Sequence, residues 1–242
     1  MHRLASLVLA LTLMAALTGC GVIDYYFLPP PEETAQELYE AGVQAMHDKE
    51  YDDAAEYFIK LKDRYPFSPF TLNGELALGD AYFLDGQYIQ ATDAYKEFEA
   101  LHPSNEHIPY VLYQIGLSNY NLFDSIDLRQ TNVNDGLEYF YRVVEQFPDT
   151  EYAAAAKDYI LKSRRILAEH ELFIADFFWR TDNFGPAWKR YSYVAENFPD
   201  VPDLQEYARK RSEYSYFEFQ KTRSTQEQEE VHGTWKDYFK WL

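Results

Sequence analysis

Cysteine is almost absent from this chain, which has a single cysteine in 242 residues. One cysteine cannot form an internal disulfide, so a free thiol in an exported protein would need another explanation. Basic residues are also scarce, with 22 Lys and Arg against 40 Asp and Glu and a formal net charge of −18. Because phosphate backbones are bound through basic side chains, this imbalance argues against binding to nucleic acid.

Recognisable catalytic motifs are missing as well. The sequence has no His-Glu-x-x-His zinc motif, no glycine-rich phosphate loop and no dinucleotide-binding fingerprint. His102 and His107 lie close together, but no acidic residue or cysteine stands at a matching metal-ligand spacing. We therefore expect no enzyme activity, no metal and no cofactor, which leaves binding as the function.

Long apolar runs are rare too. One such run, the 14 residues from Leu4 to Leu17, follows a short basic start at the N-terminus. It is short for a bilayer span and has the length of a signal-peptide core. The run ends in Leu17-Thr18-Gly19-Cys20, which resembles the bacterial lipobox. We predict that residues 1–19 are a lipoprotein signal peptide and that Cys20 carries N-acyl and S-diacylglycerol groups. The alternative is an ordinary signal peptide, or an uncleaved anchor, with an incidental cysteine.

The residues after Cys20 are predicted to form a tether, residues 20–33. Its Pro29-Pro30-Pro31 run favours an extended, semi-rigid chain. From Cys20 to Thr34 the tether can reach at most roughly 45 Å at about 3.3 Å per residue. Lipoproteins kept at the inner membrane carry Asp directly after the lipidated cysteine. Here Gly21 takes that position, so the sequence resembles that of a lipoprotein sorted to the outer membrane. Three aromatic residues could lie at the lipid interface or pack on the first repeat: Tyr25, Tyr26 and Phe27.

What the chain does have is a repeated register of small, aromatic and proline residues. A shift of 37 residues superposes Gly42, Ala54, Phe58 and Pro66 on Gly79, Ala91, Tyr95 and Pro103. This spacing is typical of the tetratricopeptide repeat, a helix–turn–helix unit of about 34 residues. Small residues let the two helices approach closely, and the proline stops the second helix.

The register predicts an all-α fold, a right-handed superhelix of about five tetratricopeptide-like helical hairpins. We expect Thr34 to cap the first helix together with Glu37. The chain then divides into repeats 1 and 2 (34–105), repeat 3 with an enlarged loop (106–150), a long helix with repeat 4 and a degenerate repeat 5 (151–220), and a C-terminal tail (221–242).

Two irregularities interrupt the register. Repeat 3 has eight extra residues, which we place in a polar loop from Leu122 to Asn134. Fourteen extra residues precede repeat 4, and Glu151 to Arg180 contains neither Gly nor Pro, so we predict one long helix or two abutting ones. The tail is polar from Lys221 to Glu230 and ends in an aromatic-rich segment, which could be a short capping helix or a peptide-like docking element.

The first helices of such repeats line a concave groove, and here its positions are mostly apolar or aromatic. The predicted groove residues are Tyr39, Val43, Met46, Leu76, Asp80, Phe83, Tyr110, Tyr113, Leu117 and Tyr120. Aromatic side chains with a few polar groups suit an extended or helical peptide. The alternative is that the superhelical curvature buries several of these residues.

Segments such as YEAGVQAMHDKEYDDAAEYFIKLKDRYPFSP and LALGDAYFLDGQYIQATDAYKEFEALHP, together with the lipobox, resemble the BamD (ComL) family. The resemblance implies a non-catalytic lipoprotein of the outer-membrane β-barrel assembly machinery, held by its lipid in the inner leaflet of the outer membrane and facing the periplasm. It also implies partners: the barrel-forming subunit and other subunits through the C-terminal half, and targeting peptides of unfolded outer-membrane proteins through the N-terminal repeats. The alternative function is an adaptor for peptidoglycan enzymes or the cell-division machinery.

Overall fold

The computed structural model describes residues 33–232, and all regular structure in that range is helical. These residues form the helices α1 (Ala35–Asp48), α2 (Tyr51–Arg64), α3 (Thr71–Leu84), α4 (Tyr88–Leu101), α5 (Ile108–Asn121), α6 (Thr131–Gln146), α7 (Glu151–Arg180), α8 (Phe184–Asn197) and α9 (Pro202–His232). Among them, none is both long enough and apolar enough to cross a bilayer. The predicted signal peptide, Cys20, the proline run and the aromatic end of the tail lie outside the described range.

Successive helices pack on one another from α1 to α9, as in a solenoid of helical hairpins. The first helices of neighbouring hairpins also touch, α1 with α3 and α5 with α7, and α7 contacts α9. The expected all-α superhelix of hairpins is confirmed.

The first helix begins at the predicted cap. Thr34 Oγ1 accepts a hydrogen bond from the Glu37 amide at 3.3 Å, and the Glu37 carboxylate accepts one from the Thr34 amide at 2.8 Å. This reciprocal pair is the predicted capping box. The hydrogen bond from the Thr34 backbone also holds the pKa of the Glu37 carboxyl below its usual value. The chain therefore enters the fold at a fixed point.

The glycines of the register are explained by the aromatic rings of the second helices. A Cβ atom on each glycine would come within 2.5–2.6 Å of a ring carbon. The pairs are Gly42 with Phe58, Gly79 with Tyr95, and Gly116 with Phe140. In the fourth hairpin the buried residues Ala175 and Tyr191 take the corresponding positions. Each hairpin is thus closed by a ring lying directly on the backbone of its first helix.

The enlarged loop of repeat 3 runs from Leu122 to Gln130. The predicted loop, which extended to Asn134, was four residues too long. Those four residues form the first turn of α6, because the Asn134 amide already donates to the Gln130 carbonyl at 3.1 Å. The predicted loop was too long because the first turn of α6 is made of polar residues.

The long helix before repeat 4 is a single element. α7 spans Glu151–Arg180 without a break, and the Thr150 side chain caps it by accepting from the Ala153 amide at 3.2 Å. The first of the two predicted alternatives is the observed one.

The fifth unit, which the sequence analysis predicted as a degenerate repeat before residue 220, begins at Pro202. Within the described residues it is one helix, α9, which packs on α8 and continues through the polar segment 221–230. The structure thus contains four hairpins followed by a long final helix between residues 33 and 232.

Candidate functional site

The ten predicted groove residues lie on the first helices of hairpins 1 to 3, which are α1, α3 and α5. None of the ten is fully buried. Nine are half-buried, and Val43 has 45% of its surface exposed. The curvature of the superhelix therefore leaves all ten positions partly accessible.

Hairpins 1 and 2 present the more open part of this surface. Tyr39 of α1 stacks on Phe70 with ring centroids 5.6 Å apart, and Phe83 of α3 meets Tyr88 edge-on at 5.5 Å. Val43 projects into solvent on the same helix as Tyr39. The accessible surface here is apolar, and the contacts with Phe70 and Tyr88 hold the rings of Tyr39 and Phe83 in place.

In hairpin 3 the predicted groove residues are partly covered by the protein itself. Tyr110 and Tyr113 lie 5.5 and 5.9 Å from the ring of Tyr152, and Tyr120 lies 5.1 Å from the ring of Tyr159. Tyr152 and Tyr159 belong to the first half of α7. This part of α7 therefore packs on the face of hairpin 3 that the sequence suggested would receive a ligand.

The sequence analysis predicted the helical segment 151–180 but missed this contact. The available signal was the spacing of Tyr152 and Tyr159, which are seven residues apart and so share one face of a helix. An aromatic pair on one face of a Gly- and Pro-free helix indicates packing against another element. The freely accessible groove is consequently shorter than predicted and lies mainly on hairpins 1 and 2.

Asp80, the one charged residue of the predicted groove, is engaged internally. Its Oδ1 accepts hydrogen bonds of 2.6 Å from the hydroxyls of both Tyr95 and Tyr110. Gln114 in turn donates to the Tyr110 hydroxyl at 2.8 Å. Burial raises the pKa of the Asp80 carboxyl, and the two tyrosine donors oppose that shift. Asp80 therefore joins hairpin 2 to hairpin 3 and does not act as a free ligand for a peptide.

A second acid–tyrosine cluster repeats this arrangement in the C-terminal half. Asp176 Oδ1 accepts from the Tyr191 hydroxyl, and from the Tyr207 hydroxyl at 2.9 Å. The guanidinium of Arg211 lies 4.3 Å from the ring centroid of Trp179. The acid-to-tyrosine separations are 15 and 30 residues in the first cluster, and 15 and 31 in the second. This long-range pattern escaped the sequence analysis.

The C-terminal half carries its own accessible surface. A cleft of about 630 Å³ lies between α7, α8 and α9, with Phe178, Tyr193 and Phe219 among its walls and Lys189 at its edge. Phe217 of α9 projects into solvent away from this cleft. Exposed aromatic surface of this kind is typical of protein interfaces.

The enlarged loop of repeat 3 is fixed against α7. The Ile126 carbonyl can only accept, so the imidazole Nδ1 of His170 donates to it at 2.6 Å. A polar cleft of about 390 Å³ opens beside this contact and includes Arg129 and Glu171. The loop therefore forms part of the C-terminal surface. Between residues 33 and 232, no cluster of three or more His, Cys, Asp or Glu is arranged to hold a metal.

Stacked hairpins with this register define a helical-repeat protein of the tetratricopeptide type, with candidate binding surfaces along its helices. The chain belongs to the YfiO family, described as an outer membrane lipoprotein family, whose profile matches residues 31–230. The match covers every helix from α1 to α8 and nearly all of α9.

Several curated relatives are named outer membrane protein assembly factor BamD. The chain is 32% identical to the protein of this name from Rickettsia prowazekii over 161 residues, which is 66% of this chain and 64% of that protein. It is 27% identical to the one from Pasteurella multocida over 212 residues, covering 83% and 80% of the two chains. The Rickettsia alignment thus spans less than two thirds of the relative.

Among solved structures, a tetratricopeptide repeat protein from Parabacteroides merdae aligns over 81% of this chain and 78% of its own. The TM-score is 0.41 and the sequence identity is 15%.

Proposed function

We propose that this protein is a scaffold of the machinery that assembles β-barrel proteins in the outer membrane, and that it performs no catalysis. The observation that carries the proposal is the family match over residues 31–230, together with relatives named as outer-membrane protein assembly factors. A stack of hairpins with accessible aromatic surfaces suits a protein that holds other polypeptides.

The proposed location is the periplasmic face of the outer membrane, with the chain held by lipid on Cys20. The lipobox-like sequence before Cys20 and the family description support this location. Several acyl chains on one residue anchor a protein stably, whereas a single chain binds a membrane only marginally.

Two surfaces would divide the work. The open groove of hairpins 1 and 2, around Tyr39, Val43 and Phe83, would receive an extended, aromatic-containing segment of an unfolded outer-membrane protein. Half-buried rings beside exposed aliphatic side chains support this role, because they provide apolar contact area with little loss of side-chain entropy.

The C-terminal half would hold the barrel-forming subunit and other subunits of the complex. Support comes from the cleft between α7, α8 and α9 and from the exposed aromatic residues of α9. The Asp176 cluster braces this region, since it ties α7 to both α8 and α9. A surface whose helices are fixed to one another by hydrogen bonds is suited to a permanent partner.

Affinity purification of the tagged full chain from detergent-solubilised cell envelopes tests the proposal. We expect recovery of an outer-membrane β-barrel protein with periplasmic domains, in amounts comparable to the bait. Recovery of peptidoglycan enzymes or cell-division proteins in its place would select the alternative, an adaptor for those systems.

A further inference from the structure

Phe67 is the most exposed large apolar side chain in the described part of the protein. It lies in the turn between α2 and α3, and its relative exposure is 100%. Single exposed hydrophobic residues are common on protein surfaces, so exposure alone assigns no role to Phe67. We assign a role to Phe67 from its surroundings, its position in the repeat and its distance from the tether.

The turn that carries Phe67 is rigid. The Ser68 amide donates to the Tyr65 carbonyl at 3.0 Å, and the Thr71 hydroxyl donates to the same carbonyl at 2.5 Å. Proline residues on both sides of the turn, Pro66 and Pro69, restrict the backbone further. The exposure of the ring is therefore built into the turn.

The same turn occurs after the second helix of each hairpin. In all four copies an amide donates to the carbonyl three residues earlier, at 3.0–3.2 Å: Ser68 to Tyr65, Asn105 to His102, Thr150 to Phe147, and Val201 to Phe198. The residue that follows the register proline is Phe67 in the first copy and Ser104, Asp149 and Asp200 in the others. An aromatic residue thus occupies this position only in hairpin 1, whereas hairpins 3 and 4 place a carboxylate there.

Hairpin 1 is also where the tether joins the fold. The Tyr65 hydroxyl donates to the Glu33 carbonyl at 2.8 Å, so the turn containing Phe67 lies beside the point at which the chain enters α1. Cys20 is at most roughly 45 Å of extended chain from that point. Arg64, which precedes the turn, is exposed in the last turn of α2.

We infer that Phe67 is a membrane-contact residue, and that its ring inserts into the interfacial region of the lipid leaflet that holds Cys20. This inference rests on the proposed lipid anchor. Aromatic rings favour the boundary between headgroups and acyl chains, and a nearby Arg64 suits anionic headgroups. The contact orients hairpin 1 against the bilayer, whereas hairpin 3 has the exposed carboxylate of Asp149 at the equivalent position.

Site-directed spin labelling of the full, acylated chain in vesicles of phosphatidylethanolamine and phosphatidylglycerol tests the inference. Acylation consumes the Cys20 thiol, so Phe67→Cys introduces a unique labelling site. Ile89→Cys is the matched control, because Ile89 is also apolar and 61% exposed but lies at the start of α4, at the far end of the hairpins. We expect the label at 67 to be accessible to oxygen and shielded from a water-soluble nickel chelate, and the label at 89 to show the reverse.

Flotation of the vesicles separates failure of this inference from failure of the anchor. If the protein floats with the vesicles but the label at 67 is as accessible to the nickel chelate as the label at 89, Phe67 does not contact lipid and the inference is wrong. If the wild-type chain does not float, the proposed anchor fails and the inference fails with it. Shielding at 67 that requires an added envelope protein would identify a protein contact and also overturn the lipid assignment.

A second variant provides a check that needs no label. Phe67→Ser copies the residue found in the turn of hairpin 2, so the turn itself should be preserved. We expect this variant to remain anchored to vesicles. Added protease should, however, cleave the end of its tether near Glu33 several-fold faster than in the wild-type chain. Equal rates on vesicles, with both proteins folded, would count against a membrane contact.

Discussion

The carboxylate of Asp80 accepts a hydrogen bond of 2.6 Å from the hydroxyl of Tyr110, across the boundary between the second and third hairpins. The same oxygen accepts from Tyr95 within hairpin 2. One acid therefore fixes both the closure of a hairpin and its stacking on the next. Asp176 does the same for the fourth hairpin and α9.

Replacing Asp80 with Ala should lower the free energy of unfolding by about 2–4 kcal/mol, because it leaves the hydroxyls of the buried Tyr95 and the half-buried Tyr110 without an acceptor. Urea denaturation followed by circular dichroism measures the change. Asp93→Ala is the control, since Asp93 is exposed on α4 and should change stability by less than about 0.5 kcal/mol. Equal midpoints for the two variants would contradict the proposed role of Asp80.

Gly79→Ala should destabilise the protein more than Gly42→Ala. Both new methyl groups would meet an aromatic ring at 2.5 Å, Tyr95 in one case and Phe58 in the other. The Tyr95 ring is held by its hydrogen bond to Asp80, so it cannot move aside without losing that bond. We expect a loss of about 1–3 kcal/mol for Gly79→Ala and a smaller one for Gly42→Ala. Thermal unfolding in parallel would reveal the order, and a reversed order would show that the hydroxyl does not restrain the ring.

Peptide binding to the open groove should depend on its exposed aliphatic residues. Besides Val43, the first helices of hairpins 1 and 2 expose Leu84, the last residue of α3, which follows the groove residue Phe83. The double variant Val43→Gln, Leu84→Gln removes this apolar area without changing the core, so we expect at least roughly tenfold weaker binding of a fluorescent, aromatic-ended barrel-protein peptide. Ile89→Gln makes the same kind of change on the second helix of hairpin 2, and should leave the affinity unchanged. Equal affinities for all three proteins would exclude this groove as the binding site.

The acid dependence of stability should involve Asp200. The Arg164 guanidinium donates to both Asp200 carboxylate oxygens at 2.5 and 2.6 Å, and these bonds hold the pKa of the Asp200 carboxyl below its usual value. The ionised form is thus favoured in the folded state, so this stabilisation is present above the unfolded pKa and is lost as pH falls through the folded pKa. Asp200→Asn should flatten the acidic arm of the stability–pH profile.

Asp149 provides the matched control for this experiment, because it occupies the equivalent turn position in hairpin 3. Asp149 is exposed and forms no ion pair with another described residue. Asp149→Asn should therefore leave the profile close to that of the wild-type protein. If both substitutions flatten the acidic arm equally, general charge repulsion and not the Arg164 pair sets the acid sensitivity.

Much of the fold was predictable because its contacts are local and periodic. The capping box of Thr34 and Glu37, the hairpin boundaries of repeats 1 and 2, and the helical character of residues 151–180 all follow from residue types at short, regular spacing. Whether residues 151–180 form one helix or two was decided only by the structure. The loop end at Asn134 was placed incorrectly because polar residues are equally suited to a loop and to the first turn of a helix.

The candidate groove was predictable only as a set of positions. The repeat register placed its residues on the first helices, and the structure leaves all ten partly accessible. The register did not reveal that Tyr152 and Tyr159 of α7 cover part of hairpin 3, or that Asp80 accepts hydrogen bonds from two tyrosines. Those contacts join residues 15 to 42 positions apart, and their geometry depends on how the hairpins stack.

The sequence by itself determined the helical hairpins and the family, because small, aromatic and proline residues at a fixed spacing reflect the local requirements of a helical hairpin. That each ring lies on the glycine of its own hairpin was shown only by the structure. The tertiary structure alone decided which side chains remain free. Asp80 became an internal brace, hairpin 3 lost part of its open face to α7, and Phe67 was left in solvent beside the tether. The physical reason is that exposure depends on which elements come to lie against a residue, and that is settled only when the hairpins pack.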